Sequence, residues 1–197
     1  EQISGLRTRI TGGTDGKGGG RGPLVLLLHG FGAPGDDLVP LADALNVPAG
    51  TRFVFPEGPL SLSFGPGDAR AWWLIDMARI AQDRAAGRVR DLSQDIPKGL
   101  APVRETMLSF LKEIEQKFGA DPKKTVLGGF SQGAMVSGFV TGDAVPQGAT
   151  PAPMPPALAP EVADNVAAVV LLGKPSGPFL QKYAMPPVVT GPLYAAR

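Results

Sequence analysis

The chain has 197 residues, 43% of them hydrophobic, enough for one substantial core and too few for two ordinary domains. Its 19 basic and 18 acidic residues are scattered and sum to a net charge of +1, which leaves no field to gather nucleic acid or an anionic membrane surface. With no cysteine and a single histidine, a disulfide framework, a thiolate nucleophile and the common metal-ligand sets are excluded, and no cofactor is expected.

No apolar run approaches the roughly 20 residues that span a bilayer, and the segment from Glu1 lacks the basic-then-apolar pattern of a secretion signal. A soluble, cytoplasmic protein is the expectation. Leu6 to Ile10 alternates apolar and charged residues like a half-solvated strand, and the glycine-rich stretch from Gly12 to Gly22 reads as the turn of an opening hairpin. Gly16-Lys17 is not a phosphate loop: the position five before Gly16 is Thr11, and Gly18 stands where Ser or Thr is needed. Leu24 to Leu28 is a continuous apolar run, the pattern of a parallel strand covered on both faces. It ends at His29-Gly30-Phe31-Gly32.

Asp36 to Leu45 predicts a short helix, and Arg52 to Phe55 a second buried strand stopped by Pro56. From Leu100, apolar residues recur at Val103, Met107, Phe110, Leu111, Ile114 and Phe118, one face of a helix closed by Gly119 and Asp121-Pro122. The charges from Arg84 to Asp91 read as a solvated face. Val126-Leu127 forms a third strand and Val166 to Leu172 a fourth, so strands alternate with helices as in a parallel α/β sheet. In such a sheet His29, Glu57 and Ser131, all at carboxyl ends of strands, face one crevice.

Gly129-Phe130-Ser131-Gln132-Gly133 puts a serine in a G-x-S-x-G frame directly after a strand and before a helix. That is the pattern of a nucleophile elbow, whose chemistry is acyl transfer; the plainer reading is a small residue at a tight turn. Eleven of the 21 prolines fall after residue 141, so the helix that follows Ser131 cannot pass about Gly142 and a proline-rich loop replaces it. Residues 173–197 show no period and contain no Asp, Glu or His.

From about Pro23 to Leu172 the chain resembles the bacterial carboxylesterase/phospholipase family that includes the acyl-protein thioesterases. The resemblance rests on His29-Gly30-Phe31-Gly32 with Gly35-Asp36-Asp37-Leu38, Phe55-Pro56-Glu57-Gly58-Pro59, Arg70-Ala71-Trp72-Trp73 and Gly129 to Ala134. It implies one α/β-hydrolase-like domain, a mostly parallel sheet with helices on both faces, altered or truncated on its C-terminal side. It also implies Ser131 as nucleophile and the backbone N–H groups of Gln132 and Phe31 as an oxyanion hole.

The family's acid and histidine motifs, which belong after later strands, have no counterpart here, and the only acids after the serine are Asp143, Glu161 and Asp164. The change to a Pro/Ala/Gly-rich tail points to a frameshifted or prematurely ended gene, which the coding DNA would settle. His29, the sole imidazole, is then either a substitute general base or a residue packed beneath the oxyanion loop. Trp72 and Trp73 either line an apolar substrate pocket or belong to the core, and Glu57, at a strand end, is either a carboxylate partner or, the plainer reading, a loop-fixing residue.

The leading expectation is a serine carboxylesterase acting on small, short-acyl esters with an incomplete triad. Its alternative is an inactive remnant that keeps an acyl-binding or protein-interaction role. A strand at Val166 to Leu172 with little to cover it also predicts a homo-oligomer, most simply a two-fold dimer that pairs these edges or exchanges its C-terminal segments, Val188 to Thr190 offering at most one further short strand.

Overall fold

The computed structural model of the chain describes residues 1–63, 68–87, 97–141 and 168–172. Nine strands, four α-helices and one turn of 3-10 helix (Pro122–Lys124) are described: β1 (Gln2–Ile3), β2 (Leu6–Gly13), β3 (Lys17–Gly19), β4 (Leu24–Leu28), α1 (Leu41–Ala44), β5 (Arg52–Pro56), β6 (Leu60–Ser61), β7 (Arg70–Ala71), α2 (Met77–Ala85), α3 (Leu100–Phe118), β8 (Thr125–Phe130), α4 (Gln132–Thr141) and β9 (Ala168–Leu172). The main sheet runs β1-β2-β5-β4-β8-β9, with β3 beside β2. Strands β5, β4, β8 and β9 are mutually parallel, while β2 lies antiparallel to β1 and β5.

The central strands are apolar on both sides because both sides are covered. One face of the sheet puts Leu24, Leu26, Leu28, Val54 and Leu127 against Leu100, Val103, Met107, Phe110 and Ile114 of α3 and Val136 and Val140 of α4. The other face puts Val25, Leu27, Phe53 and Phe55 against Leu38, Val39, Leu41, Ala42 and Val47. In α3 the buried positions recur at three- and four-residue steps, and Pro102 sits in the first turn, where a missing N–H leaves no bond unmade.

The predicted helix from Asp36 to Leu45 is a single turn, Leu41–Ala44, because Pro40 cannot sit inside a helix and stands at its N-cap. Inside the glycine-rich turn, Lys17–Gly19 pairs alongside β2 at Gly12 and Gly13. Arg52 is 2% exposed; its Nε and Nη2 donate to Gly22 O and its Nη1 to Phe118 O, so its cation meets the carbonyl end of α3. Among the described residues β9 pairs on one side only, with β8. Residues 88–91 of the Arg84 to Asp91 run, the proline-rich stretch with Asp143, Glu161 and Asp164, and the tail 173–197 with Val188 to Thr190 lie outside the described residues.

The opening hairpin is β1–β2 and turns through Ser4 and Gly5, both at positive φ (46° and 78°), and not through the glycine-rich stretch from Gly12 to Gly22, where Lys17–Gly19 runs parallel to β2. Ser4 is held there by α3, since its backbone N–H and its hydroxyl both donate to Glu113 Oε2 at 2.8 Å. The Ser4 hydroxyl and amide therefore lower the Glu113 pKa below its ordinary value. A carboxylate depressed on folding adds stability above its unfolded pKa and loses it as pH falls through the folded one. The wild type is accordingly expected to melt above Glu113→Gln at pH 7, with the gap closing as pH falls below about 4.3, measured as paired Tm values in a pH series.

Candidate active site

Strand β8 delivers Ser131, the residue between Phe130 and α4. Ser131 has φ 52°, and among the described residues only Ser4 shares a positive φ without being glycine. The two flanking glycines are set by close approach. A Cβ on Gly129 would fall 2.3 Å from Gly133 C, and a Cβ on Gly133 would fall 2.1 Å from Leu28 O. Any side chain at either place would push α4 off the end of β4. Ser131 is exposed, while Gln132 and Gly133 behind it are buried.

In the parallel ladder Leu28 pairs with Gly129, so His29 emerges next to the elbow, and β5 on the other flank of β4 brings Glu57 and Gly58 to the same end. Sequence reasoning has His29, Glu57 and Ser131 facing one crevice; the structure brings all three to one end of the sheet, but His29 is buried there and faces no crevice. The imidazole itself is closed off. His29 is 0% exposed; Nδ1 lies 2.7 Å from Gly30 O, and Gly58 N–H donates to Nε2 at 2.9 Å. A carbonyl only accepts and an amide only donates, so the ring is neutral with its proton on Nδ1. Burial is the main cause that pushes the His29 pKa below its ordinary value, outweighing the Gly30 carbonyl and the charges of Glu57 and Asp37.

Trp72 and Trp73 are 1% and 4% exposed and belong to the main core cluster. Of the two roles open to them in the sequence, the structure puts their rings in the core, where they offer no surface to a ligand. Trp72 still bears on the site through its edges. Its Nε1–H donates to His29 O at 2.9 Å, and its ring lies 5.5 Å from the His29 ring. Gln132, 2% exposed, accepts from Trp72 N–H through Oε1 at 2.8 Å and donates from Nε2 to Trp73 O at 3.0 Å. Nothing in the sequence signals this side-chain role, because the partners lie some sixty positions apart. Phe130, which the sequence marks only as the x of the G-x-S-x-G frame, is 47% exposed, and a Cβ on Gly30 would fall 3.1 Å from its ring.

Phe31 starts the loop beyond Gly30. That loop is tied down where Gly32 N–H donates to Arg70 O at 2.8 Å and Arg70 N–H to Ala33 O at 3.0 Å. A serine in a left-handed turn between a central parallel strand and a helix, flanked by the loop of the neighbouring strand, defines an α/β-hydrolase scaffold.

Comparison with known proteins narrows the class. The profile of the Phospholipase/Carboxylesterase family matches residues 17–141, and the chain belongs to that family. It is 54% identical over 88 residues to "Probable carboxylesterase Culp5" of Mycobacterium tuberculosis, a match covering 43% of this chain and 48% of the relative. It is 31% identical over 120 residues to "Acyl-protein thioesterase 1" of Candida albicans, covering 57% of this chain and 47% of that one. The chain spans about half the length of these curated relatives. Among solved structures, esterase PE8 superposes with a TM-score of 0.53 at 27% identity, covering 84% of this chain and 73% of the other.

Two outcomes follow from the site's hydrogen bonds. Gln132→Leu keeps the volume but strands the Trp72 N–H and Trp73 carbonyl; a loss of about 1–3 kcal/mol is expected, read from urea unfolding. With one histidine in the chain, the imidazole NMR signals need no assignment. A folded pKa below the unfolded value of about 6.5 means that the unfolded state takes the proton first, so stability declines as pH drops below that value. The ring signals of the folded protein are expected to stay those of the neutral Nδ1–H form at pH 6, where an unperturbed histidine is mostly charged.

Proposed function

We propose that this chain is a serine carboxylesterase-type hydrolase of small, short-acyl esters, with Ser131 as nucleophile and the backbone N–H groups of Gln132 and Phe31 as oxyanion donors. The observation that carries the reading is the left-handed backbone of Ser131, a strained conformation for a serine and the one that lifts its hydroxyl clear of the strand. Gln132 opens α4, so its N–H lies in the first helical turn, where no intrahelical acceptor exists and the helix dipole favours negative charge. The carboxylesterase names of the relatives support the same reaction class.

In this reaction Ser131 Oγ attacks the ester carbonyl carbon, the negative charge passes to the carbonyl oxygen, and the alcohol leaves as the acyl-serine forms. Water then cleaves the acyl-serine and restores the hydroxyl. Each half needs a group to accept and return a proton. His29 does not serve, because both of its ring nitrogens are held by backbone groups. Its role in this reading is to fix the start of the oxyanion loop. With no general base among the described residues, the oxyanion hole and substrate binding alone leave roughly 10³ to 10⁴-fold acceleration over water, so slow turnover is expected of this chain. The engaged imidazole equally favours a second reading, a hydrolase remnant that binds acyl groups without turning them over.

One experiment separates the two. Covalent labelling by a fluorophosphonate and slow hydrolysis of p-nitrophenyl acetate, both abolished in Ser131→Ala, support the esterase. Longer acyl esters are expected to react more slowly. An unlabelled wild type that hydrolyses no faster than Ser131→Ala leaves the remnant.

A further inference from the structure

We propose that Glu57 is a positioning residue for the loop that carries Phe31, an ionic strut between β2 and that loop. This rests on the reading of Phe31 N–H as an oxyanion donor. The first half of the loop is fixed through His29, but its second half depends on β7: Gly32 and Ala33 exchange hydrogen bonds with Arg70, and Pro34 bridges Ala69. β7 is only two residues long and pairs with a two-residue β6 outside the main sheet. A ladder of that length does not hold itself in place.

Charge ties it to the sheet. Glu57 N–H donates to Arg7 O at 2.8 Å, and its carboxylate accepts from Arg7 Nε at 2.6 Å. The same oxygen lies 3.5 Å from Arg70 Nε, while Arg7 reaches on to Asp68, beside β7. Acids and arginines therefore alternate from β2 across to residues 68–70. The carboxylate side chain is only 12% exposed, so water and salt screen it less than a surface pair. Arg70 Nε is buried with no hydrogen-bond partner, so its link to Glu57 is charge attraction without an aimed N–H.

The loop also rests on the same side chain. A Cβ on Gly35 would fall 1.9 Å from Glu57 Cγ and 2.3 Å from Cδ, so the loop backbone lies directly against the carboxylate stem. Glu57 thus sets the height of the loop by contact and its lateral position through Arg70. A displacement of the loop moves Phe31 N–H relative to the carbonyl oxygen it would stabilise, which costs kcat and leaves ground-state binding alone.

Glu57→Gln keeps the shape and removes the charge. Amide exchange at Gly32 and Arg70 is expected to speed up about tenfold, with the amides of β4 and α3 unchanged. The kcat for p-nitrophenyl acetate is expected to fall about tenfold with KM within about twofold. Unchanged exchange at Gly32 and Arg70 overturns the proposal, and so does a rise spread over the whole sheet, which would mean general destabilisation. Arg7→Met, at a half-exposed position, removes the far end of the strut and gives the same local signature if Glu57→Gln does not fold. Should the wild type prove no faster than Ser131→Ala, the esterase reading falls, and the exchange pattern still decides the strut.

Discussion

A buried chain of hydrogen bonds at the carboxyl end of the sheet fixes four segments against one another. Gly58 donates to His29, Trp72 donates to the His29 carbonyl, and Gln132 closes the circuit on the backbone of Trp72 and Trp73. Its members come from the ends of β4 and β5, from the segment after β7 and from the first turn of α4. None of these groups reaches water, so each must be paired inside; an orphaned donor or acceptor there costs about 1–3 kcal/mol. A network of this kind rigidifies its surroundings only while every member is satisfied. The neutral state of His29 is a consequence of that condition, since a proton on Nε2 would expel the Gly58 amide.

The second constraint is steric. The elbow works by backbone contact: Gly133 lies on the Leu28 carbonyl, and Gly129 lies on Gly133. These contacts let α4 start immediately above the end of β4. The positive φ of Ser131 is the geometric remainder of that packing. Conformational strain of this sort costs on the order of 1–3 kcal/mol and persists only where the surroundings over-determine it. Buried sheet residues on one side and the Gln132 clamp on the other supply that determination.

Much of this was legible in the sequence. Continuous apolar runs marked β4 and β5, a three- and four-residue apolar recurrence marked α3 from its first residue to its last, and G-x-S-x-G marked the elbow. What escaped reading was set by tertiary contact. β1, β6 and β7 are two residues long, too short for any period to declare itself, and α2 has no apolar stripe because most of its residues face solvent. Lys17–Gly19 reads as turn by composition and becomes a strand because β2 offers it a partner. The side-chain role of Gln132 and the burial of both tryptophans are likewise properties of neighbours far away in sequence, which local pattern cannot reveal.

In the proposed reaction two requirements come apart that hydrolases of this architecture ordinarily meet together. Stabilising an oxyanion needs fixed dipoles, and the described part of this chain devotes its buried hydrogen bonds, its close glycine contacts and the ion pairs of Glu57 to holding the elbow and the facing loop still. Moving a proton needs the opposite, a titratable group with a free lone pair near the serine. The one imidazole in the chain cannot meet both demands, because the bonds that make it a rigid support occupy the lone pair a base requires. Freeing Nε2 for proton transfer would loosen Gly58 and the start of the loop at the same moment. Rigidity and basicity at His29 are therefore mutually exclusive, and the observed bonds fall on the side of rigidity.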